Sequence, residues 1–326
     1  SPLPSVSALA LVGCSRDGVA EDAVVTKMRA LFARADTDGS GELSLAEQSG
    51  AVASVKTTYG PQWSTRIEAM FAAARTADRT VTADGWRNQV DIYARVQPSA
   101  PTTERISMRD GVRLATDVRL PSGDGPFPVV LVRTPYDRTK ASNNPDGFIR
   151  AGYAFVIQDM RGRFGSEGEN LPFVGCGWGP QQDGVDTIAW IRKQPWCDGR
   201  VATIGGSASG ITQNLLAGAA PEGLAAQYIS VAPADMYADI SYTGNALRKA
   251  DVENWLRGNR FDPQALALTL AHPGYDDKWR ATDTHTRFHV MNVPAVHIGG
   301  WFDMFAQGTI DEFVGRQHRG APGSKG

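Results

Sequence analysis

The chain is short of the features that mark several large protein classes. Only three of its 326 residues are cysteine (Cys14, Cys176 and Cys197), too few for a disulfide scaffold. No run of about 18 apolar residues occurs, so the sequence predicts no membrane-spanning helix. Basic residues are not clustered: 33 Lys and Arg face 35 Asp and Glu, for a net charge of −2. That balance lacks the electrostatic footprint of a nucleic-acid or membrane-surface binder, so neither partner is expected. What is present is ordinary for a globular protein, with 42% hydrophobic and 21% charged residues. The length allows two domains or three. With 35 Gly and 19 Pro, the fold should be rich in turns.

The first residues are apolar and small. Leu3 to Cys14 reads as the hydrophobic part of a secretory signal, and Leu11-Val12-Gly13-Cys14 is similar to a bacterial lipoprotein box. The expectation is export to a bacterial cell envelope with a lipid anchor at Cys14, or else secretion, and residues 1–18 are assigned to this segment. Export would also permit a disulfide between Cys176 and Cys197.

Residues 20–34 have a helical apolar face: Val24, Val25, Met28, Leu31 and Phe32. Asp36-Thr-Asp38-Gly-Ser40-Gly41-Glu42-Leu-Ser44-Leu-Ala-Glu47 follows. Each diagnostic position of an EF-hand loop is filled. Asp36, Asp38 and Ser40 supply oxygens at positions 1, 3 and 5, and Gly41 makes the sharp turn. Glu42 offers its carbonyl, Ser44 acts directly or through water, and Glu47 closes with two oxygens. A structural Ca²⁺ is the expected cofactor. Residues 66–74 predict a further helix. Arg75 to Trp86 then has a hand-like outline without ligands, a degenerate second hand. An EF-hand-like helical domain over 19–96 and a linker over 97–103 complete this half.

Beyond residue 103 strands and helices alternate. Strands are expected at 105–108, 114–119, 128–132, 153–158, 200–204, 227–231 and 293–298. Helices are expected at 147–151, 183–194, 211–220 and 310–316. The alternation predicts a mostly parallel sheet covered on both faces. One turn carries chemistry. The strand Val201–Ile204 runs into Gly205-Gly206-Ser207-Ala208-Ser209-Gly210 and then a helix. Small residues suit a strained turn that thrusts a serine out of the sheet, and the helix N-terminus favours developing negative charge. Ser207 is the expected nucleophile, with Ser209 the competitor. A phosphate-binding loop fits poorly, because no Lys-Ser/Thr follows the glycines.

Seven stretches then line up in order: Arg133-Thr-Pro-Tyr136, Asp159-Met-Arg-Gly-Arg-Phe-Gly-Ser-Glu-Gly168, Asp183-Gly-Val-Asp-Thr-Ile-Ala-Trp190, Gln194-Pro-Trp-Cys-Asp-Gly199, Gly205 to Gln213, His272-Pro-Gly-Tyr-Asp-Asp277 and Gly299-Gly-Trp-Phe-Asp303. Through them residues 104–318 resemble the cocaine esterase / Xaa-Pro dipeptidyl-peptidase / α-amino-acid ester hydrolase family. The resemblance implies an α/β-hydrolase fold, with a doubly wound, mostly parallel sheet and a helical cap near 238–283. It implies a Ser-His-Asp triad acting on small ester, amide or short peptide substrates. Ser207 matches the nucleophile, Tyr136 the hydroxyl donor to the oxyanion, the Ala208 N–H the second donor, and Asp303 the triad acid. Ala208 replaces the tyrosine usual in the family.

The triad histidine has no match. His272, His285, His289 and His297 precede Asp303, and His318 follows it by a single helix. The family places its histidine after one more strand. The expectation is therefore a fragment of a longer enzyme, cut before that histidine and a C-terminal jelly-roll domain, and nearly inactive alone. The competing reading is an inactive hydrolase scaffold that serves as a calcium-dependent binding module. A regulatory calcium sensor is a third and weaker one, since only one loop carries ligands.

Overall fold

A computed structural model describes residues 21–95, 101–123, 125–140 and 145–325. The export segment with Cys14, and most of the expected linker, lie outside these residues. The chain divides into two compact units, residues 1–99 with 144–151, and residues 100–143 with 152–326.

The first unit holds helices α1 (Glu21–Ala35), α2 (Leu45–Tyr59), α3 (Pro61–Ala74) and α4 (Ala83–Arg95), with α5 (Pro145–Arg150) assigned to it. Two short strands, β1 (Glu42–Leu43) and β2 (Val81–Thr82), pair antiparallel with Leu43 opposite Val81. Both of those side chains are fully buried. They join a core of Met28, Leu31, Phe32, Ile67, Phe71 and Trp86. The Trp86 indole donates to the Met28 carbonyl at 2.9 Å.

Ser44 caps α2, and Glu47 returns the bond to the Ser44 N–H, which makes a capping box. The second loop repeats this placement: the Gly85 N–H donates to Thr82 Oγ1. With Val81 opposite Leu43, the loop equivalent to 36–47 runs over 74–85, one residue earlier than the sequence outline. Arg79 then stands where Gly41 stands in the first loop. Both have positive φ, 64° and 80°. Gly85 stands where Glu47 does, which removes the closing carboxylate.

The second unit is built on seven strands in the order β11-β8-β7-β5-β6-β4-β3. These are β3 (Thr102–Ser107), β4 (Arg113–Arg119), β5 (Phe127–Thr134), β6 (Ala154–Asp159), β7 (Cys197–Gly206), β8 (Leu224–Ser230) and β11 (Ala295–Ile298). Pairs β3–β4 and β4–β6 are antiparallel, and the other five strands run parallel to one another. β5 and β6 are central because Phe127–Val132 and Ala154–Ile157 are apolar throughout, and both strands are buried over most of their length. Helices α6 (Asp183–Arg192) and α7 (Ala208–Gly218) pack on this sheet. α7 starts three residues before the expected 211, directly after Ser207.

Between β8 and β11 lies the cap: a π-helical turn at Tyr237–Ser241, the hairpin β9 (Tyr242–Thr243) and β10 (Ala246–Leu247), then α8 (Lys249–Gly258), α9 (Gln264–Ala271) and α10 (Asp277–Arg280). Tyr237, Tyr242 and Trp279 knit it together with ring centroids 5.1–5.9 Å apart. α11 (Ala306–Arg319) follows β11. Cys176 and Cys197 are free thiols, so the disulfide that export would permit is not formed in this structure. Cys176 is buried among Met160, Phe173 and Leu215, and burial pushes its thiol up to about 11.

Candidate active site

β7 ends at Gly206, and Ser207 sits at the strand–helix junction with φ 55° and ψ −127°. That conformation is costly for a residue with a Cβ, of order 1–3 kcal/mol. The surroundings enforce it. The Ser207 N–H donates to the Ser230 carbonyl at 3.0 Å, while the Ser207 carbonyl accepts from Gly210 and Ile211. Glycine is required on either side. A Cβ on Gly205 would lie 2.6 Å from the Ser209 Cβ, and one on Gly210 would lie 2.7 Å from the Ala232 Cβ. The strand and the helix can therefore approach only through these glycines. Ser209 points into that contact and is buried, whereas Ser207 stays partly accessible.

Tyr136 leaves β5 two residues after its end, and its hydroxyl lies 3.5 Å from Ser207 Oγ. Thr134 Oγ1 accepts the Tyr136 N–H, which pins the start of that loop. Ala208 is the first residue of α7, so its N–H has no intrahelical acceptor. A hydroxyl, a partly accessible serine and an unspent helix N–H thus meet at one end of the parallel strands. This end can stabilise negative charge that develops on a carbonyl oxygen when a nucleophile attacks the carbonyl carbon.

Asp303 is placed less simply. β11 ends at Ile298, and Asp303 lies five residues later in a turn, not at the strand end. Its Oδ1 accepts the Phe305 N–H at 2.8 Å. Among the described residues no histidine hydrogen-bonds Asp303 or Ser207. His272 pairs with Asp276 and His285 with Asp283, both in or next to the cap. His297 is enclosed in β11 with both ring nitrogens unpartnered, and burial pushes its pKa down to about 3.

Two residues that bear on Tyr136 were not singled out from the sequence, although Arg163 lies in the Asp159–Gly168 stretch. Trp255, 119 positions later, donates its indole N–H to the Tyr136 oxygen at 3.3 Å. Arg163 donates to the Pro135 carbonyl at 3.0 Å.

In the first unit the carboxylates of Asp36, Asp38 and Glu47 converge, with oxygens within 4.8 Å of one another. Asp36 accepts the N–H groups of Ser40 and Gly41, and Asp38 that of Ser40. Ser40 Oγ points to the Glu42 carbonyl at 2.8 Å. Glu47 accepts from Ser44 and Thr37, which hold its carboxyl down to about 2. Hydrogen bonds from Ser40 lower Asp38 as well. Among the described residues no basic side chain pairs with these carboxylates, a donor set that suits a hard divalent cation.

Part of the chain resembles known proteins. Residues 110–265 match the family described as X-Pro dipeptidyl-peptidase (S15 family). The chain is 33% identical over 268 residues to the cocaine esterase of Rhodococcus sp. (strain MB1 Bresler), which covers 66% of this chain and 46% of that protein. Among solved structures, an α-amino acid ester hydrolase superposes with a TM-score of 0.56 at 24% identity, covering 68% of this chain and 45% of its own. A CocE/NonD family hydrolase from Staphylococcus aureus gives 0.61 at 22% identity, covering 70% and 45%. The central sheet with its helices has the α/β-hydrolase fold of these neighbours. The chain spans about half the length of the curated relative named here.

Proposed function

We propose that this chain, whose residues 110–265 match the S15 hydrolase family, carries the nucleophile and oxyanion hole of a serine hydrolase for small esters, amides or short peptides. The observation that carries the reading is Ser207 held at φ 55°, ψ −127° with the Tyr136 hydroxyl 3.5 Å from its Oγ. Ser207 Oγ attacks the substrate carbonyl carbon and its proton passes to a general base. The oxyanion accepts from Tyr136 and the Ala208 N–H. Collapse expels the alcohol or amine, which takes the proton, and water then releases the acid from Ser207 by the same path. Asp303 is proposed as the acid that orients the base. The base is proposed to be a histidine outside residues 1–326, since no described histidine reaches Ser207.

A fluorophosphonate probe tests this reading. The chain should label at Ser207, slowly, and free imidazole should accelerate labelling by standing in for the base. Tyr136→Phe should slow labelling by about 10²–10³, the usual loss for one oxyanion donor. Ser207→Ala should abolish it. Labelling at Ser209 overturns Ser207 as the nucleophile, and no labelling with imidazole present overturns the reading and favours the inactive scaffold.

For the first unit we propose one structural Ca²⁺ held by Asp36, Asp38, Ser40, Glu42, Ser44 and Glu47, with 74–85 a degenerate hand. Calorimetry should show a single site that is lost in Asp36→Ala/Glu47→Ala. Residues 1–18 are proposed as an export segment that places the protein in a bacterial cell envelope, lipidated at Cys14, or as a secreted form. Radiolabelled palmitate incorporation that survives Cys14→Ser counts against the anchor.

A further inference from the structure

The Tyr136 oxygen has two polar neighbours, and the chemistry of one constrains the other. A phenol offers one donor proton and two lone pairs, whereas an indole N–H can only donate. Trp255 Nε1 lies 3.3 Å from the Tyr136 oxygen, so that oxygen accepts from Trp255. Its own proton must point away from the indole, and the polar neighbour left to it is Ser207 Oγ at 3.5 Å, a gap across which either hydroxyl can donate. We propose that Trp255 is a positioning residue: by occupying one lone pair of Tyr136, it aims the Tyr136 proton at the place where the oxyanion forms beside Ser207. This rests on the hydrolase reading above.

The surroundings hold both partners in that relation. Trp255 lies in the second half of α8, with its ring stacked on Phe173 at 5.9 Å and 5° and packed against Phe261 at 4.9 Å. Two aromatic neighbours fix the plane of the indole, and with it the direction of the N–H. Arg163 spans the two parts. Its Nε donates to the carbonyl of Pro135, the residue before Tyr136. Its Nη1 and Nη2 donate to the carbonyls of Arg260 and Asn259, at the C-terminal end of the helix that carries Trp255. The guanidinium also lies 4.2 Å over the Phe261 ring. A cation at a helix C-terminus is favourable, and the planar fork reaches three carbonyls where an ammonium would serve as a point charge. One buried side chain therefore couples the tyrosine loop to the cap helix. Donation by the indole also polarises the phenol and strengthens it as a donor.

The test is made on the whole chain. In ¹⁵N-indole spectra, Tyr136→Phe should move the Trp255 Nε1–H resonance upfield and speed its exchange with solvent; an unmoved resonance overturns the hydrogen bond. With imidazole present, Trp255→Phe should slow Ser207 phosphonylation by about tenfold. In the Tyr136→Phe background the same change should alter the rate less than about twofold, because its effect acts through the lost hydroxyl. Equal slowing in both backgrounds overturns the positioning role and leaves the hydrolase reading standing. A wild-type chain that never labels overturns both. Benzothienylalanine at position 255 keeps the ring shape and replaces the N–H by sulfur, so the same rates decide the matter if Trp255→Phe fails to fold.

Discussion

Ser207 shows what a single residue stores. Its φ of 55° is imposed by the strand–helix contact through Gly205 and Gly210. Ser207→Gly should therefore be more stable than Ser207→Ala by about 1 kcal/mol, since both lose the hydroxyl but only glycine relieves the strain. Urea unfolding of the two variants measures the difference. His297 gives a second residue-scale expectation. The unfolded chain takes up a proton near pH 6.5 that the folded one refuses until about pH 3. Stability should thus fall as pH drops through that window, and His297→Leu should flatten the decline. Ser207 and Tyr136 were legible because small residues and a family motif mark them. Trp255 was not, and Arg163, though inside one of the seven stretches, was not singled out there. Their role depends on hydrogen bonds across the fold, 119 residues apart in the case of Trp255, and neither periodicity nor spacing records such a distance.

At the scale of elements, the sequence was legible where burial is uniform. β5 and β6 read as continuous apolar runs and are central. α2 was not legible as a helix, because only Gln48, Ala51 and Val55 of its fifteen residues are buried and no apolar stripe forms. The second loop was misplaced by one residue because its register is set by the Leu43–Val81 pairing, a contact between the two loops. That register makes a prediction. Arg79 takes the left-handed turn that Gly41 takes in the first loop. Arg79→Gly should stabilise the first unit by about 1 kcal/mol, by removing a left-handed residue that carries a Cβ. Thermal melting of the variant, compared with wild type, checks it.

On the scale of the whole molecule, several elements of the second unit are tied together by the buried ion pair of Arg316 and Glu312, one of several such pairs. Arg316 and Glu312 on α11 are both buried, and Arg316 also reaches Gln227 on β8 and Asn214 on α7. Glu312 accepts from Thr284, in the segment between the cap and β11. Glu312→Leu should destabilise the unit by about 3–5 kcal/mol, because it strands a buried guanidinium, and chemical denaturation reads that loss. The sheet itself ends in two unlike margins. β3 turns Thr, Glu and Arg side chains outward. The β11 margin carries a cavity of about 300 Å³ lined by His297, Gly300, Trp301 and Phe313. Trp301 and Phe302 beside it are almost fully exposed, and Ile310 and Val314 are exposed as well. Among the described residues only β8 pairs with β11, and an open strand edge with bulky apolar neighbours sticks to its own kind. With a net charge of only −2, chains scarcely repel one another. Dissolved at rising concentration, this chain should behave as a sticky colloid, and light scattering should show clusters that Trp301→Lys with Phe302→Glu disperses.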